Sequence, residues 1–264
     1  MTFLSATIIS FNEAGRIADC IRSLQGVADE IIVVDNGSTD GTPAIAKSLG
    51  AVVFEQSWLG YGPQKNFAIS KAGNNWILQI DCDERLDETL RQSIILLKQS
   101  GMKGAYAIPF LHNYYDKFIR HGLQFPDKKI RLWNKQDFIW DDKHVHESLQ
   151  IPGGFTITLL KGFMLHYSYT NMEHHIAKSN RYSTEGAAQL YRNGKKNYWW
   201  KIWLSPFYIF INAYFFRLGL LDGRHGFVIA KMEAITTYMK YAKLWELWKN
   251  SPPRGHSSEC TYNS

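Results

Sequence analysis

Two aspartates directly follow an apolar stretch of the sequence, at a spacing that suits metal binding. Residues 76–80 (WILQI) predict a buried strand, and Asp81-Cys82-Asp83-Glu84 comes next. In extended backbone, alternate side chains lie on one face, so Asp81 and Asp83 would point the same way. Paired carboxylates suit Mg²⁺ or Mn²⁺, with a diphosphate supplying further oxygen ligands. The alternative is an acidic turn before a helix.

Polar side chains also follow the first two predicted strands, residues 2–10 and 30–34. The group consists of Ser10, Asn12, Glu13 and Asp35. Asp35 ends an apolar strand, where its carboxylate can accept hydrogen bonds from a nucleotide base or a ribose. The alternative is that Asp35, or Ser38, only caps the helix that follows.

One helix start and the overall charge favour an anionic ligand. Gln64-Lys65-Asn66 begins a predicted helix and can offer amide groups and a cation to phosphates, although an ordinary solvated helix start has the same pattern. The chain carries 30 Lys and Arg against 24 Asp and Glu, a net charge of +6. This excess favours a phosphorylated substrate, an anionic membrane surface or a nucleic acid as partner.

A regular alternation of strands and helices must position these residues. Strand and helix patterns alternate four times in about 100 residues, which predicts a mostly parallel sheet covered on both faces. Right-handed crossovers put the loops that follow the strands at one edge of this sheet. The carboxylates after strands one, two and four would therefore meet there.

Beyond residue 104 the pattern changes to shorter strands and longer helices. The composition of residues 251–264, which include Pro252-Pro253, predicts a disordered tail. The other predicted elements are strands at 105–110, 129–133 and 156–160 and helices at 172–191 and 228–248.

Several motifs resemble those of family 2 glycosyltransferases. They are TIISFNE (7–13), VVDNGSTDGT (33–42), GPQKNFAIS (62–70), WILQIDCDERL (76–86), KIRLW (129–133) and HVHE (144–147). The last four narrow the resemblance to a bacterial subgroup linked to lipopolysaccharide core assembly, whose members are glucosyltransferase-like. Specific motifs cover the first 100 residues, and residues 105–170 match more loosely.

The resemblance implies a glycosyltransferase A-type (GT-A) fold, an α/β Rossmann-like nucleotide-binding domain with C-terminal aromatic-rich helices. Together with the element pattern, it divides the chain into a catalytic domain, 1–170, and a helical extension, 171–250. The catalytic domain consists of a nucleotide-binding half, 1–103, and an acceptor half, 104–170. It implies an inverting reaction, a UDP-sugar donor with glucose as the suggested hexose, and Mg²⁺ or Mn²⁺. The acceptor it suggests is a lipopolysaccharide inner core or another lipid-linked glycan.

The resemblance also assigns roles to individual residues. Ser10, Asn12 and Glu13 would lie near the nucleotide, and Asp35 would bind uracil or ribose. Lys65 would lie near the uridine or diphosphate. Asp81 would contact ribose or metal, and Asp83 would bind the metal directly. His146 or His166 would complete the metal shell. Lys65 or Arg131 would add positive charge beside the departing diphosphate.

Sugar transfer also needs a base that takes the proton of the acceptor hydroxyl. Many family members carry Glu-Asp at this position, and the nearest counterpart here is His146-Glu147. We predict Glu147 as the base, with Asp127 and Asp142 as the alternatives.

Residues 197–221 form the most apolar stretch and are rich in aromatic side chains. Lys201, Pro206, Asn212 and Arg217 interrupt it, whereas a membrane-spanning helix needs about 20 mostly apolar residues. We predict that this stretch lies at a membrane interface, with its aromatics at headgroup level and its cations facing anionic lipid. The alternative is a helix pair that packs on the catalytic domain or on a second subunit.

Cysteine usage and the first residues predict the compartment. Three scattered cysteines without a CxxC pair indicate a reducing environment, and no basic segment followed by an apolar one begins the chain. We therefore expect a cytoplasmic enzyme, peripheral on the inner face of the cytoplasmic membrane.

Other protein classes fit the sequence less well. A nucleotidyltransferase acting on a sugar phosphate also uses an α/β sheet and a metal, but it needs a Gly-rich basic loop where residues 12–16 read NEAGR. A nucleic-acid-binding protein needs a basic stripe with interleaved aromatics, and the cations here are dispersed. An inactive scaffold would not need the intact acidic cluster.

Overall fold

The computed structural model describes most of the chain as two compact units. The first unit takes in Met1–Arg120 and Gln124–Ser168, and the second takes in His121–Leu123 and the chain from Tyr169 onward. The described residues are 2–137, 139–140, 149–150, 155–169, 171–196 and 198–250.

The first unit begins with the predicted alternation of parallel strands and helices. Its strands are β1 (Leu4–Ser10), β2 (Glu30–Asp35), β3 (Val52–Glu55) and β4 (Trp76–Gln79). Its helices are α1 (Ile17–Leu24), α2 (Thr42–Ser48), α3 (Tyr61–Lys71) and α4 (Glu88–Ser100). The four strands pair in the order β3-β2-β1-β4, all parallel. Helices cover both faces of such a sheet, which is why β1 and β2 are almost continuously buried.

Hydrophobic spacing explains how the helices attach to this sheet. In α1 the side chains of Ile17, Cys20, Ile21 and Leu24 are fully buried, at the three- and four-residue spacing of one helix face. They pack in the same core as Ile8 of β1. This packing holds the loop after β1 in a constant position at the edge of the sheet.

The rest of the first unit adds mainly antiparallel strands, which extend the sheet except for β9 and β10, a separate two-stranded pair. They are β5 (Glu84–Leu86), β6 (Ala105–Tyr114), β7 (Lys117–Phe118), β8 (Asp127–Asn134), β9 (Ile139–Trp140), β10 (Leu149–Gln150), β11 (Ile157–Leu159) and β12 (Met164–Tyr169). The main sheet runs β3-β2-β1-β4-β8-β6-β12-β5, and β8 pairs antiparallel with both β4 and β6. The prediction of a mostly parallel sheet is therefore correct for the first four strands and wrong for the sheet as a whole.

The sequence pattern missed β12, which is essential to the site described below. Its residues MLHYSY alternate poorly, because only Met164 and Ser168 are buried and the other positions are half-buried. β12 pairs antiparallel with β5, and the register sets His166 opposite Glu84. A strand whose polar side chains face a site lacks the hydrophobic alternation by which strands are recognised.

The second unit is helical. Its elements are α5 (Met172–Arg192), α6 (Trp199–Ile211), a π-helical turn (Asn212–Phe216), a 3₁₀ turn (Gly219–Asp222) and α7 (Arg224–Lys249). The two long helices lie close to the predicted ranges, whereas the apolar stretch 197–221 is divided among three short elements. Across the described part of the chain, no helix combines the length and the apolar character that crossing a membrane requires.

Helix α6 exposes a row of large aromatic side chains. Trp199, Trp203 and Phe207 are 73%, 68% and 66% exposed and follow one another at four-residue spacing, so they lie on one helix face. None of the α6 residues is buried, and the helix contains Lys201 but no acidic residue. We call Trp199, Trp203 and Phe207 the aromatic face.

Candidate active site

Hydrogen bonds join the loops that follow β1 and β2. The backbone N–H of Asn12 donates to Ser38 Oγ at 2.7 Å, and Asn12 Oδ1 accepts from the backbone N–H of Thr39 at 2.9 Å. The N–H of Ala14 donates to Asp40 Oδ2 at 2.9 Å. Asn12 has a φ of 53°, in the left-handed region that Asn tolerates better than most residues. The two loops thus form one fixed wall at the edge of the sheet.

Asp35 is buried inside this wall and organises the turn after β2. Its Oδ1 accepts from Ser10 Oγ at 2.8 Å and from Ser38 Oγ at 2.6 Å, and its Oδ2 accepts from the Ser38 N–H at 2.7 Å. Ser38 does not cap the next helix, because the residue at the N-cap of α2 is Gly41. Contact of Asp35 with a base or ribose stays a prediction.

Glu13 follows Asn12 and faces inward from the same wall. Its backbone N–H donates to Thr42 Oγ1 at 2.8 Å, and its carboxylate lies 3.4 Å from Arg16 Nη1. Burial raises the pKa of Glu13, the positive charge of Arg16 opposes the rise, and the negative charge of Asp83 adds to it. The electrostatic effect of Asp83 connects the predicted nucleotide wall with the acidic run after β4.

The acidic run after β4 is a turn. The prediction that Asp81 and Asp83 lie in extended backbone and point the same way is therefore wrong. The N–H of Glu84 donates to the carbonyl of Asp81 at 2.9 Å, which closes the turn. As a result Asp81 and Asp83 contact different partners. Asp81 Oδ2 accepts from Arg131 Nη2 at 3.0 Å, whereas Asp83 Oδ2 lies 3.2 Å from His166 Nε2.

Arg131, Asp81 and Glu84 form an ion-pair group, which we call the arginine clamp. Arg131 Nη2 also donates to Glu84 Oε1 at 2.7 Å, and the N–H of Asp81 donates to Glu84 Oε2 at 3.0 Å. Arg131 is 5% exposed and Glu84 fully buried. Arg131 was predicted to face the diphosphate, but its guanidinium is engaged by these carboxylates, which sequence spacing could not reveal.

The clamp shifts the pKa values of its acidic members in opposite directions. For Asp81, burial favours the neutral acid, but the charges of Arg131 and Lys65 outweigh it and hold the pKa well below its usual range. Burial raises the pKa of Glu84 to about 7, with Arg131 opposing the rise. Asp81 is therefore the permanently charged member.

Three side chains are grouped as a metal site requires. Ligand atoms of Asp83, Glu84 and His166 all lie within 4.8 Å of one another. Both oxygens of Glu84 already accept hydrogen bonds in the clamp, so Asp83 and His166 are the better pair of ligands. The structure thus brings together two of the residues predicted to bind metal, while Asp81 belongs to the clamp. Glu84 was not predicted to belong to this group, although its position directly after Asp83 in the sequence could have indicated it.

A second histidine, which the sequence analysis did not single out, contacts His166. His112 Nδ1 lies 3.1 Å from His166 Nδ1 and 3.4 Å from Ser168 Oγ. His112 Nε2 lies 3.1 Å from Asp127 Oδ2, which is also 3.2 Å from Lys129 Nζ. Burial lowers the pKa of His112, against the opposing effect of Asp127. His112 lies near the end of β6, beside Asn113 and beyond the predicted strand 105–110, and no sequence motif marks it.

Asp127, an alternative prediction for the base, is thus engaged by His112 and Lys129. Burial would raise the pKa of Asp127, but the hydrogen bond from His112 and the charge of Lys129 lower it. A carboxylate with a lowered pKa is a weaker proton acceptor. Glu147, Asp142 and His146, the remaining predictions for base and metal ligand, lie outside the described residues.

Lys65 lies on α3 and is buried. Its ammonium is 4.5 Å from the centre of the Trp140 ring, and its charge lowers the pKa of Asp81. Asn66 fixes the same contact, because its side chain donates to the Trp140 carbonyl at 3.0 Å and accepts from the Trp140 N–H at 3.1 Å. Lys65 is thus a positive charge held close to the acidic turn, and its contact with a diphosphate stays a prediction.

Comparison with known sequences gives consistent matches. The sequence model of the family described as Glycosyl transferase family 2 matches residues 5–157. An uncharacterised glycosyltransferase of Rickettsia typhi is 37% identical, with 94% of this chain and 88% of the relative aligned. The lipopolysaccharide core biosynthesis glycosyltransferase LpsC of Rhizobium meliloti is 33% identical over 92% of each chain.

Solved structures give more distant matches. TarS of Staphylococcus aureus aligns with a TM-score of 0.46 and 15% identity, over 94% of this chain and 92% of that one. Glucosyl-3-phosphoglycerate synthase of Mycobacterium tuberculosis, in complex with Mn²⁺ and UDP-glucose, aligns with a TM-score of 0.36 and 21% identity, over 42% and 44% of the chains.

Proposed function

The chain belongs to glycosyl transferase family 2, and we propose that it transfers a hexose, glucose in the first instance, from a UDP-sugar to a hydroxyl of a lipopolysaccharide-core or other lipid-linked glycan. The proposed reaction inverts the anomeric carbon and depends on Mg²⁺ or Mn²⁺. The observation that carries the proposal is the pair Asp83 and His166, placed beside the loops of Asn12 and Asp35. Family membership favours sugar transfer over nucleotidyl transfer to a sugar phosphate.

The donor atoms of this pair fit a hard divalent cation. Asp83 Oδ2 and His166 Nε2 are 3.2 Å apart, close enough to serve as two ligands of one ion. Carboxylate oxygen is the ligand that Mg²⁺ and Mn²⁺ prefer, and imidazole nitrogen is accepted by transition metals, so the pair suits Mn²⁺ in particular. When bound, the cation would stabilise the negative charge that develops on the departing UDP.

The surrounding residues support the donor in two ways. The wall of Asn12, Ser38 and Asp35 is a rigid surface at the end of the parallel strands, where α/β folds bind nucleotides. Lys65 supplies a buried positive charge close to the acidic turn. The arginine clamp keeps the acidic turn in one conformation, so Asp83 is directed at His166 before any ligand binds.

The test of the proposal is calorimetric titration of the full chain with UDP, UDP-glucose and UDP-galactose, with and without Mn²⁺. We expect uridine nucleotides to bind more tightly with the cation present, and UDP-glucose to be preferred. Absence of binding by every uridine nucleotide, with the protein folded, would remove the donor assignment.

Glu147→Gln should stop sugar transfer while leaving UDP affinity nearly unchanged. The amide cannot take the proton of the acceptor hydroxyl, and general-base catalysis is worth about 10²–10⁴-fold in rate. The measurement is single-turnover transfer beside UDP titration, with Asp142→Asn as the matched control. Normal turnover by Glu147→Gln, or a comparable loss in Asp142→Asn alone, would move the base to another carboxylate.

The acceptor and the membrane belong to the same proposal. The relative LpsC is named for lipopolysaccharide core biosynthesis, and a lipid-anchored acceptor is met at a membrane surface. The aromatic face suits the headgroup region, and Lys201 lies beside Trp200 in a helix without acidic residues. We infer a cytoplasmic enzyme that binds the inner surface of the cytoplasmic membrane through α6.

Truncating the aromatic face should weaken vesicle binding. We expect the double variant Trp203→Ala/Phe207→Ala to lower partition into vesicles with anionic phospholipid by about tenfold or more, since a buried aromatic side chain contributes about 1.5–3 kcal/mol. Co-sedimentation measures this. Phe3→Ala, at an exposed aromatic of the first unit, is the control. Equal partition of the unaltered protein, the double variant and Phe3→Ala would instead favour packing of α6 on protein or its self-association. Analytical ultracentrifugation detects the self-association.

A further inference from the structure

A chain of short contacts connects the proposed metal ligands with a half-buried carboxylate. Its successive distances are 3.2 Å from Asp83 Oδ2 to His166 Nε2, 3.1 Å from His166 Nδ1 to His112 Nδ1, and 3.1 Å from His112 Nε2 to Asp127 Oδ2. The four residues come from the turn after β4, from β12, from β6 and from β8. The contacts therefore depend on the assembled sheet.

Hydrogen-bond chemistry determines which nitrogen carries a proton. A carboxylate only accepts, so His112 Nε2 must donate to Asp127. In neutral imidazole the other nitrogen is then bare, so His112 Nδ1 accepts and His166 Nδ1 donates to it. The same rule would have His166 Nε2 donate to Asp83, and two neutral rings cannot meet both demands. A cation between Asp83 and His166 removes this conflict, because it would take the lone pair of a bare His166 Nε2. A bare imidazole nitrogen beside a carboxylate oxygen is a suitable donor pair for a cation.

We propose that His112, held by Asp127, is a positioning residue that fixes the ring orientation and tautomer of His166 and so prepares the Asp83–His166 pair for a divalent cation. The inference rests on the proposed metal site and adds to it a role for two residues that do not touch the cation. It also gives Asp127 a function other than that of a base. Lys129 Nζ lies 3.2 Å from the same oxygen, Asp127 Oδ2.

Partners of metal-binding histidines have measurable effects. Their loss lowers metal affinity or activity by about 10–100-fold, because the ligand ring becomes free to rotate or to change tautomer. His112→Phe keeps a ring of similar shape but has no nitrogen. His112→Gln restores both functions, since an amide N–H can donate to Asp127 and an amide oxygen can accept from His166.

The experiment is Mn²⁺ binding to the full chain, without nucleotide, followed by electron paramagnetic resonance. We expect His112→Phe to lower Mn²⁺ affinity by about 10–100-fold, and His112→Gln to recover most of the loss. Ser168→Ala is the matched control, because Ser168 Oγ also lies near His112 Nδ1, at 3.4 Å, outside the chain of contacts. Thermal unfolding of each variant shows whether a loss reflects unfolding of the sheet.

The outcomes separate this inference from the proposed function. Failure of the unaltered protein to bind Mn²⁺, or unchanged binding by His166→Ala, would overturn the metal site itself. Binding that is lost in His166→Ala but normal in a folded His112→Phe would overturn the positioning role alone. Pulsed resonance gives a further readout: nitrogen coupling from His166 should be present in the unaltered protein and in His112→Gln, and weakened or lost in His112→Phe. Full coupling in His112→Phe would contradict the inference.

Discussion

Asp83→Asn should abolish Mn²⁺-dependent UDP binding and lower the rate of sugar transfer by about 10³-fold. The amide is neutral and nearly isosteric, so it removes the charge that holds a cation and little else. Metal stabilisation of a leaving group is worth several kcal/mol, and each 1.36 kcal/mol is a factor of ten in rate. Calorimetric titration of UDP with and without Mn²⁺ measures the first effect, and single-turnover transfer from UDP-glucose measures the second.

The matched control for Asp83→Asn is Asp137→Asn. Asp137 comes shortly after the end of β8, and that end pairs with Trp76 at the start of β4. The acidic turn follows the other end of β4, so Asp137 lies at the opposite edge of the sheet. We expect this control to bind UDP and Mn²⁺ normally. Metal-dependent UDP binding that survives in Asp83→Asn would show that the cation is held elsewhere, and His146, which lies outside the described residues, would then be the next ligand to replace.

Arg131→Met should lower the free energy of unfolding by about 3–5 kcal/mol, the usual cost of removing one partner of a buried ion pair. Arg131 and Glu84 are 5% and 0% exposed, so the substitution leaves the Glu84 carboxylate buried without its guanidinium. Urea unfolding of the full chain gives the free energy directly. The same variant should weaken UDP and Mn²⁺ binding, because the clamp fixes the turn that carries Asp83.

Two further variants identify the cause of that loss. Arg131→Met/Glu84→Gln removes the uncompensated charge and should recover part of the lost stability. Lys129→Met removes a cation from the same strand whose side chain is 43% exposed, and it should cost about 1 kcal/mol or less. An equal cost for Arg131→Met and Lys129→Met would contradict the clamp as a source of stability.

Local patterns in the sequence were sufficient for the nucleotide-binding half. The apolar strands ending at Ser10 and Asp35, and the helix faces such as that of α1, recur with the periods of strand and helix, and those periods follow from backbone geometry alone. Motifs in the same segments predicted the GT-A fold and family 2 membership, both confirmed. The acidic motif also identified Asp83 as a candidate metal ligand, whereas His166 was a candidate that lies outside the motifs.

Such patterns cannot predict the hydrogen bonds within a turn or the contacts between distant segments. The run from Asp81 to Glu84 looked extended but is a turn, because its polar groups hydrogen-bond to one another. Arg131 looked like a phosphate-binding cation but pairs with Glu84, 47 residues away. His112 carried no signal at all, since it lies beyond the predicted strand 105–110 and no sequence motif marks it.

The sequence by itself therefore determined the order of the four parallel strands and their helices, the family and the chemical types gathered at the sheet edge. Only the tertiary structure decided the pairing within that edge: Asp83 with His166 across 83 residues, Asp81 with Arg131 across 50, and His112 between His166 and Asp127. The physical reason is that periodicity arises from bonds along one segment, whereas side-chain pairing depends on the register between strands. In β12 and β5 that register sets His166 opposite Glu84, and no property of either strand alone specifies it.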